Sequence, residues 1–421
     1  MTDRRETDDP SNRTAEPRGR ERPQGDQPEG TALTPELQRR LFVEWLYALC
    51  IREYGVAQYD NSDVGGTLNL QDGRVVKIAF VDGPPSVTVE QAAQPLPTAL
   101  VDEAQKRAGV GDLGAGTWWT LGLSADVNLY DLANVHFMRI MNEHKRYQGP
   151  WRFGGNALLE FEQADVEPAP SVMPKFKATI TFRVPGPAHG PFGRFLAEGV
   201  GAFFRALVAF ASAAPLRSGN VFPAKDEAAT DAAQAMTAGT VSEMVVEDIP
   251  LWPAMLRLFA DGAGVEGFRR AQGAIYAYEQ ALDQRSEYVT LILLVSSIEA
   301  LLQPNQPWQL RRLVKRFTAG TEVLAPVALH EILSHDNVAQ AFGSAARNER
   351  RLLEDLYSRR SRPLHTGHMQ HGLGLPMGDP SIGIRIMLTS MLTRAAILHF
   401  LRAPLSSCYG HPVLDPDHTD E

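Results

Sequence analysis

From Glu287 to Leu302 the chain reads Glu-Tyr-Val-Thr-Leu-Ile-Leu-Leu-Val-Ser-Ser-Ile-Glu-Ala-Leu-Leu. Apolar side chains fall on every side of a 3.6-residue period. A helix that is hydrophobic all round has to be enclosed by other elements. It is the most apolar predicted helix of the chain and is expected at the centre of a bundle. One residue conflicts with that burial. Glu299 carries a carboxylate into an apolar helix, and such a group needs a partner or water. Arg360 is the candidate partner. The other outcome is that Glu299, near the helix end, reaches solvent.

Helical patterns surround this stretch. Phe268 to Leu282 repeats Ala271, Ile275, Tyr278 and Leu282 at helical spacing. Leu310 to Phe317 follows with basic residues on its outer face. Residues 339–361 are predicted as one helix, residues 367–380 as a Gly/Pro loop, and Ile382 to Leu401 as a closing helix. The order fits an up-and-down helical bundle over residues 265–402, with a tail at 403–421.

The chemistry concentrates at the end of the 339–361 helix. Leu353, Leu356 and Tyr357 share one face, and Arg360 continues it by i+3 and i+4 spacing. Pro363 disfavours the α region for Arg362, so the helix is expected to stop there, and Gly367 permits a sharp exit. His365 follows Arg360 by five residues. A guanidinium is a fixed cation whose donor fork suits phosphate. An imidazole exchanges a proton near neutral pH. Together they suffice for metal-free cleavage of a phosphodiester. As a plain structural alternative, Arg360 is a helix C-terminal cation favoured by the macrodipole, and His365 a loop histidine bonded to backbone.

The Arg360-x4-His365 pattern resembles the motif of the HEPN superfamily, specifically its Apea-like branch. The Glu299-Ala300-Leu301-Leu302 end of the apolar helix is typical of the same branch. The resemblance covers residues 265–402. It implies a metal-independent endoribonuclease that leaves 2′,3′-cyclic phosphate ends and needs no cofactor. His365 would act as general base or acid, and Arg360 would hold the phosphate. Glu299 and Ser361 would support them; Ser361 stands where the family more often has an amide or an acid. Arg359 and Arg362 flank the motif as candidate RNA contacts. The family pattern also implies a homodimer through the bundle, with a role in stress or antiphage defence. The competing expectation is a catalytically inactive HEPN-like module for binding or dimerisation.

Ahead of the bundle the pattern changes. Residues 1–33 are nearly free of apolar side chains and are expected to be disordered. Thr34 with Pro35 starts a predicted helix carrying Leu41, Phe42, Trp45, Leu46, Leu49 and Cys50. Residues 67–81 alternate around Asp72-Gly73, a hairpin signal. A helix is expected from Pro97 to Ala108. Strands follow at Thr117–Leu121, Asn156–Glu162 and Lys175–Val184, the last alternating through Phe176, Ala178, Ile180, Phe182 and Val184. Trp118, Trp119 and Trp151 read as core residues. Residues 34–185 are therefore expected to be an α+β domain. Residues 186–264 are expected to be a helical linker region, led by Phe192 to Phe210 and including a short helix at Leu251 to Phe259.

Other function classes are disfavoured. Gly109-x-Gly111-x-x-Gly114 follows a predicted helix instead of a strand, so it does not suit a dinucleotide. His365, His368 and His371 lie three residues apart, but in a Gly-containing loop that fixes no metal geometry, and no metal is expected. Two cysteines without CxxC spacing fit a reducing cytoplasm. No N-terminal apolar run suggests a signal peptide, and the most apolar span, Phe192 to Ala214, is interrupted by Arg194, Glu198 and Arg205, so no membrane crossing is expected. The net charge is −9, yet residues 265–402 hold 16 Lys/Arg against 12 Asp/Glu. A basic module beside an acidic remainder suits RNA as a partner, as does ordinary surface variation.

Overall fold

The structure is a computed structural model that describes residues 35–61, 64–80, 85–90, 95–109, 116–126, 151–153, 157–161, 175–188, 191–237, 242–243, 245–246, 249–250, 264–302, 310–366 and 380–402. The expected tails at 1–33 and 403–421, the loop after Gly109, most of the 367–380 loop and the expected helix at 251–259 lie outside these residues. An N-terminal α+β region with antiparallel sheets leads into a mainly helical C-terminal region.

Helix α1 (Pro35–Tyr54) starts on a proline and buries Leu41, Phe42, Trp45, Leu46, Leu49 and Cys50. It packs on a four-stranded sheet of β1 (Val56–Asn61), β2 (Gly65–Leu70), β3 (Val75–Ala79) and β4 (Ser86–Glu90), each paired antiparallel with the next. The β2–β3 turn falls at Asp72-Gly73, with Gly73 at φ 89. There the Asp72 carboxylate accepts from the Arg74 backbone N–H at 3.1 Å. Leu68, Leu70, Val76 and Ile78 face the core, as their alternation dictates. α1 crosses β2 so closely that a Cβ on Gly66 would lie 2.7 Å from Val43 Cγ1. Helix α2 (Thr98–Gly109) covers the other flank of α1.

The second sheet has six strands among the described residues. They are β5 (Thr117–Asp126), β6 (Trp151–Phe153), β7 (Ala157–Phe161), β8 (Lys175–Val184), β9 (Arg217–Pro223) and β10 (Ser242–Glu243), in the order β10-β6-β7-β8-β5-β9. β10 runs parallel to β6; the other pairs are antiparallel. β9 and β10 belong to the stretch expected to be a helical linker, so the sheet extends past Pro185. Only Val221 of β9 is buried, which is why its sequence lacks the alternation of a strand. Trp119 lies in the core, while Trp118 is half-buried under the Arg183 guanidinium at 4.7 Å. Helix α4 (Asp226–Thr237) seats Ala232 against Leu158. A short ribbon of β11 (Val245–Val246) and β12 (Ile249–Pro250) follows.

Helix α3 (Pro191–Ser212) joins the two regions. One side meets β5, β8 and β9; the other meets α5 (Gly264–Leu282). Phe204 packs on Phe182 of the sheet at 5.5 Å, while Phe203 and Phe210 meet Tyr276 and Tyr278 of α5 at 5.8 and 5.4 Å. Arg205 pairs with Glu279 at 2.5 Å. Each fully buried large apolar side chain adds about 1.5–3 kcal/mol, so this aromatic seam binds the regions firmly. The described residues from Pro35 to Arg402 accordingly pack as one compact unit.

In the helical region α6 (Glu287–Leu301) occupies the centre, touching α5, α7 (Leu310–Leu324), α10 (Glu349–Thr366) and α11 (Pro380–Arg402). Its Leu291, Leu294, Val295, Ile298 and Leu301 are buried. Ser297, also buried, donates to the Ala274 carbonyl at 2.6 Å. Helices α8 (Pro326–Leu333) and α9 (Val338–Phe342) and a 3-10 turn (Gly343–Arg347) lie between α7 and α10. The single helix expected over 339–361 is thus divided. Gly343 at φ 56 ends α9, and Asn348 restarts the chain by accepting from the Arg351 N–H at 2.9 Å. Among the described residues one helix, Ser381–Arg402, is long and apolar enough to cross a membrane by length and composition. More than half of that window is buried inside the fold.

Candidate functional site

α10 carries the motif. Leu352, Leu353, Leu356 and Tyr357 are buried on the face toward α6 and α7, and the Tyr357 ring lies 5.2 Å from that of Phe317. On the outer face Arg350–Glu354 and Arg359–Asp355 form i,i+4 ion pairs at 2.9 and 2.6 Å. Arg359, expected as an RNA contact, is therefore tied to its own helix.

The buried stripe delivers Arg360 to the end of α6. Its Nη2 meets Glu299 Oε2 at 2.5 Å. The Tyr357 hydroxyl donates to Glu299 Oε1 at 3.3 Å, and the Arg360 guanidinium lies 5.7 Å from the centre of the Tyr357 ring. Glu299 thus takes the arginine of the two outcomes open to it, although both side chains keep about a fifth of their surface exposed. Burial, and then the Glu299 charge, push the Tyr357 hydroxyl up to about 12, so it stays a donor across the physiological range. Arg360 Nε is buried and makes no hydrogen bond among the described residues. The C-terminal end of α6 is braced as well: buried Arg316 donates from Nε to the Leu302 carbonyl at 3.0 Å.

α10 does not stop at Arg360 or before Pro363, as expected, but runs on to Thr366. Pro363 removes one helical hydrogen bond, and the anchored stripe from Leu352 to Tyr357 holds the preceding turns in place. Arg360 and His365 are therefore both carried by one helix. On a regular α-helix five residues separate their Cα atoms by about 140° around the axis and about 7.5 Å along it. The side chains of Ser361, Arg362 and His365 lie outside the described residues, as do His368 and His371. Among the described residues no cluster of His, Cys, Asp and Glu is arranged to hold a metal ion.

Tyr357 is the member of the site that the sequence conceals. An aromatic residue on a buried helical stripe reads as core, and its hydroxyl contact depends on a helix about sixty residues earlier. The only available signal was its position one turn before an arginine on the same face. No protein-family model, no curated protein and no solved structure matches the chain.

Proposed function

We propose that the chain is a metal-independent endoribonuclease of the HEPN type. The support comes from the meeting of Glu299 and Arg360. They belong to the two separate sequence blocks that carry the resemblance, and they touch at 2.5 Å. In this mechanism the ribose 2′-oxygen attacks phosphorus and the bond to the 5′-oxygen breaks. His365 takes the 2′-hydroxyl proton or supplies a proton to the leaving oxygen. Arg360 holds the phosphate oxygens, its charge matching what accumulates on them in the transition state. Glu299 and Tyr357 fix the plane of its fork from behind. The products are a 2′,3′-cyclic phosphate and a 5′-hydroxyl. A second copy of the bundle would supply a second Arg360 and His365, and a defence role would follow from RNA cleavage that halts growth.

The alternative is a silent HEPN-like binding or dimerisation module. One observation favours it: the Arg360 charge is already met by a carboxylate.

Incubation of purified protein with mixed cellular RNA in EDTA separates the two. Cleavage leaving cyclic phosphate ends is expected, and Arg360→Ala and His365→Ala should each reduce it by about two to four powers of ten. Cleavage untouched by either substitution removes the site. A wild-type chain that binds RNA or dimerises without cleaving supports the module.

A further inference from the structure

The N-terminal region holds a second carboxyl group with no place in the chemistry above. Glu44 lies on α1 between Val43 and Trp45 and is fully buried. Its two oxygens have very different surroundings. Oε1 accepts from the Tyr59 hydroxyl, from Asn61 Nδ2 at 3.4 Å and from the Phe192 backbone N–H at 3.3 Å. Oε2 is buried and has no partner among the described residues, and the same is true of Asn61 Oδ1. Asn61 Nδ2 is itself held, donating also to the Arg40 carbonyl at 3.2 Å.

Two orphaned oxygen acceptors on an interacting amide–carboxyl pair are what remains when one proton is omitted. A neutral Glu44 removes the charge from the unpartnered oxygen: Oε1 is then the carbonyl oxygen that collects the donors, and Oε2 carries the hydroxyl. An ionised Glu44 leaves a charged oxygen buried and unsatisfied.

We propose that Glu44 is a proton-operated latch: as the neutral acid it clamps α1, β1 and the first turn of α3 together, and its ionisation releases them. The place of α3 makes this consequential. Its N-terminus is held by Glu44 through Phe192. Its C-terminus is held from the bundle, where buried Arg394 donates to the carbonyls of Phe210 and Ala211. α3 is thus a strut about 33 Å long between the four-stranded sheet and the bundle.

Two influences compete at Glu44. Burial disfavours the charge, while Asn61 and the backbone N–H groups of Phe192 and Gly193 favour it. Burial is the larger, and the carboxyl is pushed up from 4.5 to about 7. Among the described residues no ion pair to Glu44 is formed from the packed elements. On α1, Arg39 and Arg40 lie over Phe80 and Phe192 at 5.8 and 5.5 Å. On α2, Arg107 pairs with Glu103 at 2.6 Å and covers Trp45. On α3, Arg194 pairs with Glu198 at 2.9 Å; on β1, Asp60 is exposed. The sign follows from an acid raised in the folded state. Its contribution is complete below the unfolded value of 4.5 and is lost as pH rises through about 7.

The test is amide hydrogen exchange on the intact chain, corrected for intrinsic rate, from about pH 5.5 to about pH 8.5. Opening of the β1 and Phe192–Gly193 amides should increase about 30-fold across that range in wild type. In Glu44→Gln, whose amide reproduces the neutral acid as donor and acceptor, the increase should vanish. Identical profiles for the two proteins overturn the latch. Should the variant fail to fold, infrared spectroscopy of the wild type decides. A buried protonated-carboxyl band present at about pH 5.5 and gone at about pH 8.5 supports it, and its absence throughout overturns it.

Discussion

Glu44 and Glu299 begin from the same predicament and resolve it differently. Each is a carboxyl group inside an apolar helix run, Leu41–Leu46 in α1 and Leu291–Leu301 in α6. In the bundle, α10 brings Arg360 to within 2.5 Å, and a fifth of each side chain still reaches water. In the α+β region the neighbours are a phenol, an amide and backbone N–H groups, all neutral, and burial is complete. A nearby cation keeps an acid charged; neutral donors in a dry pocket do not offset desolvation. The first arrangement orients a guanidinium. The second makes the fold itself sensitive to protons near neutral pH.

Taking the cation from Glu299 leaves it, like Glu44, without a charged partner among the described residues. Breaking a fully buried pair costs about 3–5 kcal/mol, and at this partial exposure Arg360→Met should lose about 2 kcal/mol. Urea denaturation measures it; an unchanged midpoint would mean that water, not Arg360, satisfies Glu299. A smaller cost, about 1–2 kcal/mol, is expected for Glu299→Gln, reduced in high salt because the pair is partly screened. Glu44→Gln should show the opposite sign at alkaline pH, gaining stability over wild type. The smallest effects belong to the phenols. Tyr357→Phe and Tyr59→Phe should each cost about 0.5–1.5 kcal/mol by thermal melts. Only Tyr59→Phe should move the neutral-pH transition, and upward, since it removes a donor to the charged carboxylate.

What could be read in the chain follows the range of the interaction. The apolar periodicity of α6 predicts a central helix, and the alternation of β8 predicts a half-buried strand, because both signals lie within one element. The β2–β3 hairpin was legible in Asp72-Gly73 for the same reason. β9 was not legible: at the sheet edge it buries only Val221, so no pattern marks it. The division of the 339–361 helix was missed because a single glycine in a helical pattern is usually tolerated, and Gly343 ends the helix only by adopting φ 56. The run of α10 past Pro363 was missed because the proline penalty is local, whereas the packing that offsets it involves α6 and α7.

The candidate site divides along the same line. The sequence alone determined that Arg360 would leave the core on the buried face of its helix, because residues 353, 356, 357 and 360 repeat at helical spacing. It also determined that Glu299 needed a partner, because apolar neighbours cannot solvate a charge. Only the tertiary structure decided that this partner is Arg360, that Tyr357 completes the group, and that Glu44 meets no guanidinium among the described residues. Those outcomes depend on groups brought together across 58 residues for the Tyr357 and Glu299 side chains, and across 148 for the Phe192 backbone N–H and the Glu44 side chain. A local pattern can state what a buried charge requires, but only the packing of distant elements determines what is there to meet it.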